Sequence, residues 1–143
     1  MRDRYLFKAK HFKKWHIGNI VKEPDGLYIR DINENVMAYI NDESTICQCT
    51  GLKDKNGNRI WENDIISYQR DNDDCPFPNK DTKKRFGKVF YQGFRSTFAI
   101  GMGKNGSRSI NDDLWKYVQN GNRVEVIGNQ FDNPELLQEE SDE

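Results

Sequence analysis

The sequence predicts a mainly β protein with one or two short helices, and three observations carry that reading. Ile and Val, whose branched side chains suit a pleated sheet, number 18 against 9 for Leu and Ala, which favour helices. Fifteen Asn and eleven Gly supply many tight turns. Apolar residues alternate over short runs bounded by those turn residues. The chain has 143 residues, a formal net charge of −1 and 32 Leu, Ile, Val and Phe. That is enough for a modest core and one small domain over residues 1–137, with no internal repeat and no linker.

Residues 4–9 alternate and read as a first strand. A turn at Phe12–Lys14 leads to a second strand holding Trp15, Ile17, Ile20 and Val21. Glu23-Pro24-Asp25-Gly26 is a turn with Pro early and Gly late. Leu27–Ile32 and Val36–Ile40 flank Asn33-Glu34-Asn35 as a hairpin, and Thr45–Gly51 is a further strand. Asp54-Lys55-Asn56-Gly57 is the strongest turn signal, because Asn-Gly tolerates the positive φ that a tight hairpin requires. Strands at Arg59–Trp61 and Asp64–Tyr68 are separated by a sharp bend at Glu62-Asn63.

Residues 70–85 are charged, aperiodic and carry Pro76 and Pro78, which predicts a long mobile loop. Phe86–Tyr91 and Phe94–Ile100 form a hairpin about Gln92-Gly93, and Gly101–Ser107 is another turn. A helix starts at Asn111 or Asp112 as cap, with Asp113 at its positive end and Leu114, Trp115 and Val118 as its apolar stripe. Asn120-Gly121 ends it. Arg123–Gly128 is a strand with Val124 and Val126 on one face. Asn133-Pro134-Glu135 opens a short last helix, beyond which an acidic tail over 138–143 frays.

The charge balance hides an asymmetry. Residues 132–143 hold six acids and no base, which leaves residues 1–131 with 22 bases against 17 acids. Residues 1–16 hold Arg2, Arg4, Lys8, Lys10, Lys13 and Lys14 against Asp3 alone. Interleaved with Tyr5, Phe7 and Phe12, this basic segment is the best nucleic-acid candidate, opposed by the acidic tail. Other aromatic residues (Trp15, Trp61, Trp115, Tyr68, Tyr91) are of the type that stacks bases, but in a small β domain they mostly fill the core. Three cysteines give no disulfide framework. Cys47 and Cys49 read as small core residues on one strand face, and no metal set is indicated.

No apolar run approaches 18 residues, which argues against a membrane span, and the charged start lacks a secretion signal. The expected compartment is therefore the cytoplasm. No catalytic set stands out. Glu62 and Asp64 would share a strand face, yet they sit at a bend whose amides need acceptors. His11 and His16, the only histidines, read as surface residues with no nucleophile attached. Gly101-Met102-Gly103-Lys104-Asn105-Gly106 spells G-x-G-x-x-G, but a dinucleotide site requires a strand, that loop and an immediate helix in a parallel unit. The flanking strands read as hairpins, so the stretch is a glycine-rich turn, with Lys104 and Arg108 the nearby cations for any anion.

Three longer motifs carry a family resemblance. Residues 45–66, Thr-Ile-Cys-Gln-Cys-Thr-Gly-Leu-Lys-Asp-Lys-Asn-Gly-Asn-Arg-Ile-Trp-Glu-Asn-Asp-Ile-Ile, follow the pattern T-I-G-Q-x-T-G-L-x-D-K-N-G-x-x-I-x-E-G-D-I-V. Lys8-Ala9-Lys10 through Trp15-His16-Ile17-Gly18 resembles an opening segment in which Gly follows Trp by three residues. Glu125–Leu137 resembles a closing V-I-G-N-x-x-D-N-P-E-L-L. Together they resemble the YopX family of bacteriophage and prophage proteins, over nearly the whole chain. Cys47 and Asn63 stand where the pattern has Gly, and Asn is the best non-Gly residue for positive φ.

The resemblance implies a small SH3-like or partly open β-barrel with additional strands, a phage or prophage origin, and neither an enzymatic activity nor a cofactor. The resulting expectation is a non-enzymatic, self-associating module that binds a host or phage protein in the host cytoplasm. The alternative is nucleic-acid binding through Arg2, Arg4, Lys8, Lys10, Lys13 and Lys14. An undetected activity about Glu62 and Asp64 is the weakest reading.

Overall fold

The computed structural model describes residues 2–69, 84–93, 96–102, 108–119 and 121–136, with eleven strands and one α-helix among them. It is mainly β, in antiparallel sheets, and divides into two compact units, Met1–Gly51 and Leu52–Glu143.

The first unit is built from β1 (Phe7–His11), β2 (Lys14–Glu23), β3 (Gly26–Asp31), β4 (Met37–Tyr39) and the start of β5 (Cys47–Lys53). Their order in space is β4-β3-β2-β1-β5. Alternation sends one set of side chains inward: Ala9, Ile29, Ala38 and Ile40 form a core with Ile20, Leu27 and Ile46 packed on it. The hairpins fall where turn chemistry placed them. Glu23 pairs with Gly26, whose φ of 144° only glycine adopts easily. Asn35 at φ 54° turns the chain from β3 to β4. A 3-10 turn at Glu43–Thr45, capped by Asp42, leads into β5.

One strand begins later than the alternation predicts. Residues 2–5 form a 3-10 turn closed by the Leu6 N–H on the Asp3 carbonyl (3.0 Å), and β1 starts at Phe7. Tyr5 matches the alternating pattern but is 78% exposed, so it has no buried site to draw it into a strand. Arg4 instead lies along Gly51, at φ 83°, where a Cβ would collide with the Arg4 side chain.

In the second unit, β6 (Arg59–Trp61) follows the end of β5. A five-stranded sheet has the order β10-β9-β8-β7-β11, from β7 (Asp64–Gln69), β8 (Lys84–Gln92), β9 (Thr97–Met102), β10 (Arg108–Asp113) and β11 (Val124–Asn129). Its core holds Ile60, Ile66, Tyr68, Val89, Phe98, Ile100, Leu114, Tyr117 and Val124. Among the described residues the strands close into no barrel, which agrees with the partly open form expected.

Two boundaries differ here. Lys84 and Arg85, expected in the long loop, pair with Gln69 and Tyr68 in β8; residues 70–83, Cys75 included, lie outside the described residues, as do the tail over 138–143 and Leu137 at the end of the last helix. Residues 111–113 are not a helix cap but the end of β10, because Asp112 and Asp113 pair with Ile100 and Ala99. The helix α1 (Leu114–Gln119) buries Leu114 and Tyr117, with Val118 against the core, whereas Trp115 is 57% exposed. Positions i, i+3 and i+4 share a helix face, and Trp115 falls off it.

Candidate functional site

The family-like motifs turn out to hold turns together. Asp54 is buried, and its carboxylate accepts the N–H groups of Asn56 (2.9 Å), Asn58 (2.9 Å) and Val126 (3.0 Å). Burial alone raises this carboxyl, but those three donors and the Asn58 side chain outweigh it and hold its pKa below the usual carboxylate range. Asn63 adopts φ 68°, so the bend survives without glycine, and Cys47 takes an ordinary buried strand position. Asn129 and Asn133 repeat the device near the end of the described chain. Asn129 Oδ1 accepts from Phe131 and Asp132, and Asn133 Oδ1 accepts from the Asn129 N–H.

The Glu62–Asp64 pair is arranged differently from the expectation. Glu62 lies in the turn and Asp64 opens β7, so they do not share a strand face. Asp64 is buried, and its Oδ2 accepts the Trp61 N–H at 2.8 Å, which is the turn-stabilising role. Gly101 and Met102 lie in β9, which pairs antiparallel with β10, so the glycine-rich stretch has no β-α-β context. Gly103–Ser107, with Lys104, lie outside the described residues. Burial lowers the pKa of Lys88, and its Nζ donates to Gln130 Oε1 at 2.8 Å.

Among the described side chains, the basic segment is spread over more than one surface. The register Lys10↔Trp15 and Lys8↔Ile17 puts Lys8, Lys10 and Trp15 on the sheet face opposite the core of the first unit. Lys8 Nζ lies 4.4 Å and Lys10 Nζ 5.2 Å from the Trp15 ring centre. Arg30, which sequence reading passed over, joins the same face through its pairing with Asn19. Lys13 is exposed in the β1–β2 turn, and Arg4 lies on Gly51. Lys14 faces the other way and pairs with Glu34 at 2.7 Å.

The histidines part company. His11 is partly exposed, and its Nδ1 donates to the Tyr39 carbonyl at 2.8 Å. His16 corrects the surface reading: it is 5% exposed, because Ala9↔His16 pairing puts it on the inner face. There its Nδ1 lies 2.7 Å from Asp31 Oδ2 and 3.6 Å from Glu34 Oε1. The other Asp31 oxygen accepts the N–H groups of Asn33 (2.7 Å) and Glu34 (2.9 Å). Burial raises the Asp31 carboxyl, but these donors and His16 bring it below the usual range. No spacing rule in the sequence links position 16 to 31 and 34. The one available signal was a hairpin register.

Exposed apolar side chains gather at one edge. Ile32, Val36, Met37 and Tyr39 are all exposed and all belong to the β3–β4 hairpin. β4 has a partner on one side, and the bonds Asp31 N–H to Val36 O and Ile40 N–H to Leu27 O show that residues 36 and 40 face β3. Met37 therefore directs its amide and carbonyl off the edge. Residues 35–41 carry no charge.

Comparison with known proteins agrees with the family resemblance. A family model described as YopX protein matches residues 18–138, across both units. The crystal structure of protein EF1440 from Enterococcus faecalis is similar at 22% identity, covering 92% of this chain and 96% of that one, with a TM-score of 0.48. No curated protein matches the sequence. Among the described residues, no helix is long and apolar enough to cross a membrane.

Proposed function

The chain belongs to the YopX family, and on that footing we propose that it is a non-enzymatic, self-associating protein-interaction module of a phage or prophage, working in the host cytoplasm. The observation that carries this reading is the uncharged edge strand β4 with Ile32, Val36, Met37 and Tyr39 exposed around it. Natural sheets usually blunt such an edge with lysine, proline or a bulge, and none of these is present at 36–40. Two copies laid antiparallel along β4 meet without charge repulsion and cover each other's apolar side chains. The order β4-β3-β2-β1-β5, with a 3-10 turn before the last strand, supports an SH3-like first unit.

Sedimentation over a wide concentration range tests the reading. The expected result is a reversible oligomer that becomes monomeric when Val36→Lys and Met37→Lys are introduced together. A monomer at every concentration overturns self-association.

A second reading, nucleic-acid binding, is favoured by the outer sheet face. Lys8, Lys10 and Arg30 there lie with Trp15, a combination suited to backbone phosphates and stacked bases. It needs only part of the basic segment, since Lys14 is engaged by Glu34.

A further inference from the structure

We propose that His16, Asp31 and Glu34 form a binding site for a divalent transition-metal ion of the zinc type. The ligand atoms are His16 Nδ1, Asp31 Oδ2 and Glu34 Oε1, which all lie within 4.8 Å of one another. With metal–ligand bonds of about 2.0–2.2 Å, tetrahedral ligand atoms stand roughly 3.3–3.6 Å apart. The separations of Nδ1 from the two oxygens, 2.7 and 3.6 Å, bracket that spacing, and the two oxygens stand within 4.8 Å of each other, so modest side-chain shifts seat the ion.

Each ligand is already oriented by a second contact. Asp31 Oδ1 is held by the Asn33 and Glu34 N–H groups, which leaves Oδ2 turned to the imidazole. Glu34 Oε2 is held by Lys14 Nζ at 2.7 Å, which leaves Oε1 turned the same way. Such outer contacts are what metal sites use to fix ligand geometry. The hairpin register sets the pair: Ala9↔His16 pairing and Gly18↔Asp31 pairing put the imidazole and the Asp31 carboxylate on the same inner face.

One imidazole and two carboxylates make a donor set of charge −2, suited to a borderline cation, with a water molecule as fourth ligand. Metal on Nδ1 requires the ring proton on Nε2, so the ion takes the place of the Nδ1 proton now directed at Asp31. Lys14 is the built-in competitor, since its ammonium neutralises the same Glu34 carboxylate. This proposal is independent of the β4 edge and of the outer basic face.

The test is titration of the full chain with Zn2+, followed by the 15N shifts of its two histidines, and with Co2+, followed by visible absorption. The expected result is a saturable site in which His16 Nδ1 moves and His11 does not. Glu34 is half-exposed, so Glu34→Gln leaves the fold intact by circular dichroism and weakens binding at least about tenfold. Lys14→Met strengthens it. No saturable binding, an unmoved His16, or undiminished affinity in Glu34→Gln overturns the proposal.

Discussion

The carboxylate of Asp54 accepts the main-chain N–H of Val126 at 3.0 Å, tying together positions 72 apart in the sequence. Its second oxygen closes its own turn through Asn56 and Asn58, and the Lys55 N–H reaches the Val124 carbonyl at 2.9 Å. One side chain thus shapes the β5–β6 turn and locks it to β11. The motif that marks the family is therefore an architectural device.

Asp54→Ala is expected to destabilise the protein by about 3 kcal/mol, because three main-chain amides lose the buried, charged acceptor they share. The pH dependence has a definite sign. The folded pKa lies below the unfolded value of about 3.9, so the contribution is present above that pH and is lost as pH falls through the folded pKa. Urea denaturation between pH 6 and pH 3 should show a steeper acid loss in the wild type than in Asp54→Asn. Equal slopes count against the assignment.

Asn63 tests the bend. Its φ of 68° is open to glycine and tolerated by asparagine. Asn63→Gly should leave stability within about 1 kcal/mol, whereas Asn63→Val should cost about 2 kcal/mol through the left-handed backbone. Thermal melts of the two variants decide it, and a harmless valine would refute the conformational argument.

Gly18 is demanded by space. A Cβ there would overlap the Arg30 carbonyl across the β2–β3 ladder. Backbone cannot swing aside as a side-chain tip can, so Gly18→Ala should cost about 3 kcal/mol. Gly57, at φ 86° with open space around it, should lose only about 1 kcal/mol as alanine. Denaturant midpoints measured on both would expose a wrong ranking.

If the outer face of the first unit binds nucleic acid, affinity should fall steeply between about 50 and 200 mM salt. Lys10→Glu with Lys13→Glu should abolish it, and Lys14→Glu should have a smaller effect because Lys14 is paired with Glu34. Fluorescence anisotropy with labelled single- and double-stranded DNA and RNA reads this directly. Binding that ignores Lys10 and Lys13 would remove this face from consideration.

Much of the fold was legible residue by residue. Asn56-Gly57, Pro24-Asp25-Gly26 and Asn33–Asn35 signalled their turns, and Arg59–Trp61 was placed to the residue. Errors came where local pattern and tertiary partner disagreed. Tyr5 alternates with Phe7 yet has nothing to bury against, and Asn111–Asp113 look like a helix cap yet pair with β9. The candidate sites were less legible still. His16 read as a surface residue, although it is among the most enclosed polar groups of the first unit.

The class of fold, the turns and most strand positions are written in short stretches of residues, because φ preferences, capping and alternation act locally. Which side chains meet depends on long-range strand pairing. Strand side chains alternate with a period of two, so register assigns each one to the core or to the open face. That register sent Lys8 and Lys10 to Trp15 and Lys14 to Glu34, and it brought His16 to Asp31 across a hairpin.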